Sequence, residues 1–165
     1  MRTRLASVTL AAIAMYGGCL NAQERAAAVR PEEPALREVI ALGTARSATF
    51  RELASRLDSS DVVVYVRLAP CVGKVASCML WASEAGGTRR LLIKLDRFGR
   101  SLNELAALLG HELQHANEVA DAPEIRDPVS FRNAFVSRGS KHAAGFETEA
   151  AAAAGRRVSV ELARR

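Results

Sequence analysis

The sequence predicts an α+β fold in which a small antiparallel three-stranded sheet packs on a long helix and on a C-terminal helix that carries glutamates. β-Branched and alternating apolar residues are concentrated in residues 62–96, whereas apolar residues at helical spacing precede and follow that stretch. The chain has 165 residues, of which 49% are apolar. That length and composition fit one domain with a buried core and exclude wholesale disorder.

Residues 1–22 have the layout of a secretory signal peptide. Arg2 and Arg4 give a positive start, residues 5–16 are apolar and uncharged, and small residues lead to Ala22. The apolar run is too short for a permanent bilayer span. We therefore expect cleavage after Ala22, an exported protein that is periplasmic or secreted, and no stable membrane span in the mature chain. A buried N-terminal helix is the alternative interpretation.

The charge of the chain argues against a nucleic-acid partner. The formal net charge is +5, from 23 basic and 18 acidic residues. Loss of Arg2 and Arg4 with the signal peptide would make the net charge less positive. The sequence has no patch in which aromatic and basic residues alternate. We therefore expect no binding to nucleic acid.

The cysteines agree with export. Cleavage would remove Cys19 and leave Cys71 and Cys78, which are expected to form a disulfide in an oxidising compartment. Two buried free thiols would be the interpretation for a cytosolic protein. Lipid attachment at Cys19 ranks second to cleavage after Ala22, because Tyr16 is a poor residue three positions before a lipidated cysteine.

The segment before the sheet is predicted to contain a tether and two short helices. Residues 23–46 comprise the polar tether and a first helix, which begins at Pro34 and ends at Gly43. Ser47 is a suitable N-cap for the second helix, whose apolar residues share one face. Those residues are Phe50, Leu53, Ala54 and Leu57.

Three strands are predicted next, at residues 62–68, 75–83 and 89–96. The Gly86-Gly87 pair between the last two strands is typical of a tight hairpin. Cys71 and Cys78 flank the connection between the first two strands. A bridge between these cysteines would therefore staple the antiparallel sheet.

The chain after the sheet is predicted to be mostly helical. Ser101 and Glu104 form a capping-box pattern at the start of a helix that runs to about Ala120. Residues 121–142 are expected to form a loop that contains one short helix. An alanine-rich last helix is predicted from about Ala143 to the C-terminus.

The sequence HELQH at residues 111–115 carries the main functional signal. On a helical wheel, His111 and His115 lie one turn apart on the face opposite the leucine-alanine stripe, where two imidazoles can bind one metal ion. Glu112 points to the side of that pair, from where a carboxylate can act as a general base. The alternative is a solvated helix face with incidental polar residues.

A catalytic zinc site takes three protein ligands, so the third must come from another part of the chain. We favour Glu147, because the helical wheel places it on the inward face of the predicted last helix, whereas Glu149 falls on the solvent side. Asp121 is disfavoured, because a ligand so close needs a sharp turn and Glu118 stands where families with that spacing have glycine. An ion pair with a buried Arg or Lys is the alternative role for Glu147.

HELQHA followed by FETEAA resembles the gluzincin metallopeptidases, whose third zinc ligand is a glutamate on the helix after the motif helix. The layout of residues 60–165 is similar to that of the small single-domain minigluzincins and to the core of the CAAX-type membrane proteases. In those membrane proteases the pattern Glu-x-x-Ala-Asp carries the ligand, and it aligns on Glu147 with Ala151 in place of the aspartate. The resemblance implies a zincin-like metallopeptidase domain, which we assign to residues 47–165.

The resemblance also implies an activity. Zinc held by His111, His115 and Glu147 would activate a water molecule, and Glu112 would remove its proton. The reaction would be the hydrolysis of a peptide bond in a peptide or protein substrate. The competing interpretation is a non-catalytic zinc-binding envelope protein that retains the metallopeptidase fold.

Two further roles are expected from the family layout. An oxyanion donor besides the metal is needed, and His142 is the first candidate. The alternatives for that donor are Tyr65, Arg138 and Lys141, and the alternative interpretation of His142 is an ordinary surface histidine. The third predicted strand, residues 89–96, would offer an edge on which an extended peptide could lie by strand addition.

Overall fold

A computed structural model describes residues 27–138, 140–142 and 145–164 of the chain. These residues form an α+β fold with five helices, a four-stranded mixed sheet and a two-stranded sheet. In chain order the elements are β1 (Val29–Pro31), α1 (Pro34–Arg46), α2 (Ala48–Asp58), β2 (Val62–Leu68), a 3-10 turn (Val72–Lys74), β3 (Ser77–Ala85), β4 (Thr88–Leu95), α3 (Leu102–Ala120), α4 (Pro128–Arg138), β5 (Ser140–His142), β6 (Gly145–Glu147) and α5 (Glu149–Ala163). The predicted signal peptide, residues 1–22, lies outside these ranges. Within them, no helix combines the length and the apolar character needed to cross a membrane.

The four-stranded sheet is mixed, which differs from the predicted three-stranded antiparallel sheet. Its order is β1-β2-β4-β3, in which β2 pairs in parallel with β1 and β4, while β3 and β4 are antiparallel. β4 takes an inner position because Leu91, Ile93 and Leu95 are all fully buried. The connection from β2 to β3 contains Pro70 and a 3-10 turn instead of a tight hairpin. Among the described strands β3 pairs with β4 alone and therefore lies at the edge of the sheet.

Several local predictions are confirmed. Gly86 and Gly87 connect β3 to β4 with φ of 58° and 75°, the positive values that a two-residue hairpin turn of this kind requires. Ser47 caps α2, because its hydroxyl accepts a hydrogen bond from the Phe50 N–H at 3.0 Å. Ser101 and Glu104 form the expected capping box at the start of α3. Short-range signals thus fix where these elements begin.

Two features of the first described segment differ from the sequence interpretation. Val29–Pro31, within the predicted tether, is an edge strand that pairs with β2. Helix α1 continues past Gly43 to Arg46, so the prediction that the helix ends at Gly43 is wrong. The glycine instead makes room for the ring of Phe50. A Cβ added at Gly43 would lie 2.7 Å from Cδ2 of Phe50. The division between a tether-and-helix segment, 23–46, and a following domain stays a prediction.

Helix α3 is the centre of the fold, where it contacts α1, α2, α5 and three strands of the sheet. Its C-terminus is capped by Arg89, whose side chain is 1% exposed and pairs with Asp61 at 2.5 Å. The guanidinium also donates hydrogen bonds to main-chain carbonyls at or just beyond the end of the helix. The acceptors are Val119, Ala120, Ala122 and Ile125. A buried cation therefore satisfies carbonyls that a helix end leaves without partners.

The predicted disulfide between Cys71 and Cys78 is confirmed. It joins the loop that follows β2 to the second residue of β3. The 3-10 turn at Val72–Lys74 lies inside the closed loop. The bridge thus anchors the beginning of an edge strand that has a paired neighbour on one side only.

Replacing both bridged cysteines with alanine is expected to lower the free energy of unfolding by about 2–3 kcal/mol. The bridge joins residues separated by seven positions, and closing a loop of roughly eight residues restricts the unfolded chain by an entropy of that size. Urea denaturation of the oxidised wild type and of the double variant measures the difference. Reduced wild type is the control and should match the double variant. Equal midpoints for oxidised and reduced wild type would contradict this account.

Candidate metal centre

The HELQH residues lie in the middle of α3, where this helix packs closely against α5. Glycines stand at the crossing on both helices. A Cβ at Gly110 would lie 2.7 Å from Cγ2 of Val158, and a Cβ at Gly155 would lie 3.1 Å from Cβ of His111. The missing side chains let the helices approach, which brings the segment that precedes α5 next to the histidines.

Glu147 is the last residue of β6 and precedes α5, so the prediction that it lies on the last helix is wrong. Thr148 caps α5, because its hydroxyl accepts a hydrogen bond from the Ala151 N–H at 3.2 Å, and the helix begins at Glu149. Glu149 is exposed, as expected. The apolar face predicted for this helix is buried at Ala151, Ala154, Val158 and Leu162. Glu147 therefore reaches the histidines from the end of a strand.

His111, His115 and Glu147 form a compact group, called here the His-His-Glu group, that could hold a metal ion. One ligand atom from each residue lies within 4.8 Å of the other two. Nε2 of His111 lies 3.5 Å from Oε2 of Glu147, and Nε2 of His115 lies 3.8 Å from Oε1. Oε1 is buried and has no hydrogen-bond partner among the described residues. A buried carboxylate oxygen without a partner is costly unless a cation binds it.

Glu112 lies beside the His-His-Glu group and is nearly buried, with 4% of its surface exposed. The Ser77 hydroxyl donates a hydrogen bond to Oε1 of Glu112 at 2.6 Å, and the same oxygen lies 4.0 Å from Nε2 of His111. Burial raises the pKa of Glu112, although the hydrogen bond from Ser77 and the charge of His115 act in the opposite direction. A raised pKa makes this carboxylate a stronger base than an exposed one.

The two histidines have different electrostatic surroundings. Burial lowers the pKa of His111, and the charge of His115 lowers it further, against the effect of Glu147. The neutral imidazole that this favours is the form that binds metals. Burial alone would lower the pKa of His115 as well, but a hydrogen bond to Glu118 and the charges of nearby carboxylates raise it overall. A metal ion bound to this group would therefore compete with a proton mainly at His115.

Glu118 is a residue of the site whose role was missed in the sequence. Its Oε2 lies 3.0 Å from Nδ1 of His115, and its Oε1 accepts a hydrogen bond from the Thr148 hydroxyl at 2.7 Å. Burial would raise the pKa of Glu118, but its hydrogen bonds with His115 and Thr148 lower it overall. The signal that could have indicated this contact is the spacing of His115 and Glu118, which places them on one helix face.

A cavity of about 390 Å³ opens beside the His-His-Glu group. Edge strand β3 forms one part of its wall, with Met79 among the lining residues, and α4 contributes aromatic side chains. The ring of Phe135 lies edge-on to His115 with centroids 5.3 Å apart, and Phe131 follows 5.1 Å further. A space next to the candidate ligands is thus bounded by apolar side chains and by a strand edge.

No family model, curated protein or solved structure matches this chain. The functional interpretation therefore depends on the residues of the site and their geometry.

Two candidates from the sequence lie apart from that site. Asp121 is at the end of α3 and pairs with Arg56 at 2.8 Å. Tyr65 lies on β2, 3.5 Å from a guanidinium nitrogen of Arg30, and is not among the residues that line the described cavity.

The expected strand edge at residues 89–96 is wrong. β4 pairs on both sides, with β2 and β3, and Ile93 is fully buried. The strand edge beside the cavity belongs to β3. The side chain of His142, the expected oxyanion donor, lies outside the described part of the chain. The same applies to the two alternatives Arg138 and Lys141.

Proposed function

We propose that this protein is an exported zinc metallopeptidase of the gluzincin type, with a zincin-like fold. The observation that carries the proposal is the His-His-Glu group next to the buried carboxylate of Glu112. The mixed sheet with its edge at the cavity, and the second helix packed on the motif helix, support the proposal at the level of the fold. The disulfide between Cys71 and Cys78 supports export.

Zinc suits the His-His-Glu group better than a hard cation does. Two imidazoles and one carboxylate are a known ligand set of catalytic zinc, whereas magnesium and calcium prefer oxygen ligands alone. Ligand atoms about 2.1 Å from one tetrahedral ion lie about 3.4 Å apart. Oε2 of Glu147 lies 3.5 Å from Nε2 of His111, Oε1 lies 3.8 Å from Nε2 of His115, and one ligand atom from each residue lies within 4.8 Å of the other two. Small side-chain adjustments would therefore suffice for binding.

The proposed reaction is hydrolysis of a peptide bond. A zinc ion, when bound, supplies Lewis-acid activation for the attack of water on the carbonyl. Glu112 accepts the proton of the attacking water and then gives it to the leaving amine as the C–N bond breaks. Burial raises the pKa of Glu112, which helps it to hold the proton between these two steps. The hydrogen bond from Ser77 at 2.6 Å keeps the carboxylate in place.

The substrate in this proposal is an extended peptide segment with an apolar side chain near the cleaved bond. Among the described strands β3 pairs with β4 alone, so its other edge lies open next to the cavity, and such an edge can hold a peptide through main-chain hydrogen bonds. The cavity wall includes Met79, Phe131 and Phe135, against which an apolar side chain can pack. Main-chain binding supplies affinity, while the apolar wall supplies selectivity.

The variant Glu112→Gln tests the catalytic part of the proposal. We expect cleavage of a library of unstructured peptides to fall by about 10²–10⁴-fold, the range that a general base contributes. Zinc content should remain that of the wild type, because the three ligands are intact. Glu149→Gln is the control, since it removes the same charge from an exposed position on α5.

The outcomes separate the candidate functions. Wild-type protein that retains zinc but cleaves no peptide would support the non-catalytic zinc-binding envelope protein. Wild-type protein that retains no zinc would overturn the metal site itself. Activity that survives Glu112→Gln would show that another group removes the proton, and the assignment of Glu112 would then be wrong.

A further inference from the structure

We propose that Glu118 is a positioning residue that joins the two chain segments that carry the zinc ligands. The inference rests on the proposed metal site and adds a residue that does not itself bind the ion. Its carboxylate contacts His115 on α3 with one oxygen and Thr148, which follows Glu147, with the other. Glu118 is well shielded from water, with 15% of its side chain exposed, and the side chain of Gln114 is a further hydrogen-bond partner of its carboxylate.

The contact with His115 determines which ring nitrogen faces the ligand group. The carboxylate of Glu118 presents acceptor oxygens, one to the Thr148 hydroxyl, which donates to Oε1, and the other to the ring of His115. The imidazole of His115 must therefore present an N–H at Nδ1, 3.0 Å from Oε2 of Glu118. In the neutral ring this leaves the lone pair on Nε2, the nitrogen that faces Glu147.

The contact with Thr148 determines the position of the third ligand. The Thr148 hydroxyl donates to Oε1 of Glu118 at 2.7 Å and accepts from the Ala151 N–H at 3.2 Å. It therefore connects α3 to the first turn of α5. Glu147 is the neighbouring residue, so the end of β6 is held at a fixed distance from the histidine helix. One carboxylate thus orients one ligand and anchors the segment that carries another.

This arrangement accounts for a departure from the resembled ligand pattern. The pattern on which Glu147 aligns has an aspartate where this chain has Ala151, and that alanine is fully buried in the packing of α5. Glu118 supplies a carboxylate from the motif helix instead, one turn after His115. The carboxylate that contacts the imidazole of His115 therefore lies on α3, and position 151 of α5 contributes none.

Zinc affinity of the full chain, measured by competition with a chromophoric chelator, tests the inference. Loss of a hydrogen-bonding partner behind a zinc ligand typically costs 10–100-fold in affinity. We expect a loss of roughly tenfold for Glu118→Gln, which keeps the shape of the side chain, and toward a hundredfold for Glu118→Ala. Glu149→Gln, which removes the same charge one residue beyond Thr148, should leave the affinity unchanged.

A second pair of variants separates positioning from general stability. Thr148→Val removes the hydroxyl that bonds Glu118, and Thr148→Ser restores it, so zinc affinity should fall in the first and return in the second. The thermal midpoint of metal-free Glu118→Gln should stay near that of the wild type. A wild type that binds no zinc would overturn the metal site. Wild-type affinity in both Glu118 variants would overturn this inference alone, and so would a weakened affinity that follows the metal-free midpoint across all variants.

Discussion

Arg89→Met is expected to lower the free energy of unfolding by about 3 kcal/mol, the cost of leaving buried helix-end carbonyls without a charged hydrogen-bond donor. The side chain of Arg89 is 1% exposed and bonds both Asp61 and the end of α3. Methionine fills similar space but donates no hydrogen bond, so the helix carbonyls lose their donor, while Asp61 keeps its ion pair with Arg126 at 3.1 Å. Urea denaturation monitored by circular dichroism measures the loss.

Arg90→Met is the matched control for this variant. Arg90 is the next residue of β4 and is half-buried on the other face of the strand. A surface substitution of this kind changes stability by no more than about 0.5 kcal/mol. Equal stability of the two variants would contradict the role assigned to Arg89.

The pH dependence of stability gives an independent view of the same cap. Burial alone would raise the pKa of Asp61, but the hydrogen bond and the charge of Arg89 lower it below the usual value of 3.8. Because the folded-state pKa is the lower one, the stabilisation is complete above the unfolded-state value and is lost as the pH falls through the folded-state value. Asp61→Asn should lack this decline on the acid side.

Removing zinc is expected to have an effect of similar size. A ligand that binds only the folded state at a thousand times its Kd stabilises that state by about 4 kcal/mol. Thermal unfolding of wild-type protein with zinc, and again after treatment with a chelator, measures this difference. The variant His115→Ala should abolish the response to zinc, because the group loses one of its three ligands.

Glu112→Gln provides the comparison that keeps this test specific. It alters a carboxylate beside the ligands but no ligand, so its thermal midpoint should still rise with zinc. If the midpoint of the wild type does not respond to zinc, the metal site is contradicted. If His115→Ala responds as the wild type does, zinc binds at another position on the chain.

Local sequence patterns predicted the parts of the fold that depend on near neighbours. Ser101 and Glu104 predicted the start of α3, because a capping box requires these residue types at this spacing. Gly86 and Gly87 predicted the hairpin, because a two-residue turn requires residues that adopt positive φ. The placement of HELQH on a helix followed from the periodicity of its leucines. The pairing of strands could not be read in this way, because alternation identifies a buried face but not the neighbouring strand.

The structure brings together the three residues that the sequence proposed as ligands, His111, His115 and Glu147, whereas the contacts of Ser77 and Glu118 were not predicted. Glu147 was chosen by a helical argument, yet it lies on a strand, because Thr148 caps α5 and the helix begins at Glu149, two residues after Glu147. No role was predicted for Glu118, since its second partner Thr148 is thirty positions away in the sequence. Ser77 gave no signal, because its contact with Glu112 depends on the edge position of β3.

The helix crossing at Gly110 and Gly155 ties the separation of the candidate ligands to two residues that have no side chain. A methyl group at Gly110 would meet Val158 at 2.7 Å, and one at Gly155 would meet His111 at 3.1 Å. Either substitution would widen the gap between α3 and α5 and move Glu147 away from the histidines. If every position is substituted in turn and zinc retention is measured, Gly110 and Gly155 should tolerate few substitutions although neither contacts the ion. The loss of zinc at these positions should increase with the volume of the new side chain and not depend on its chemical type.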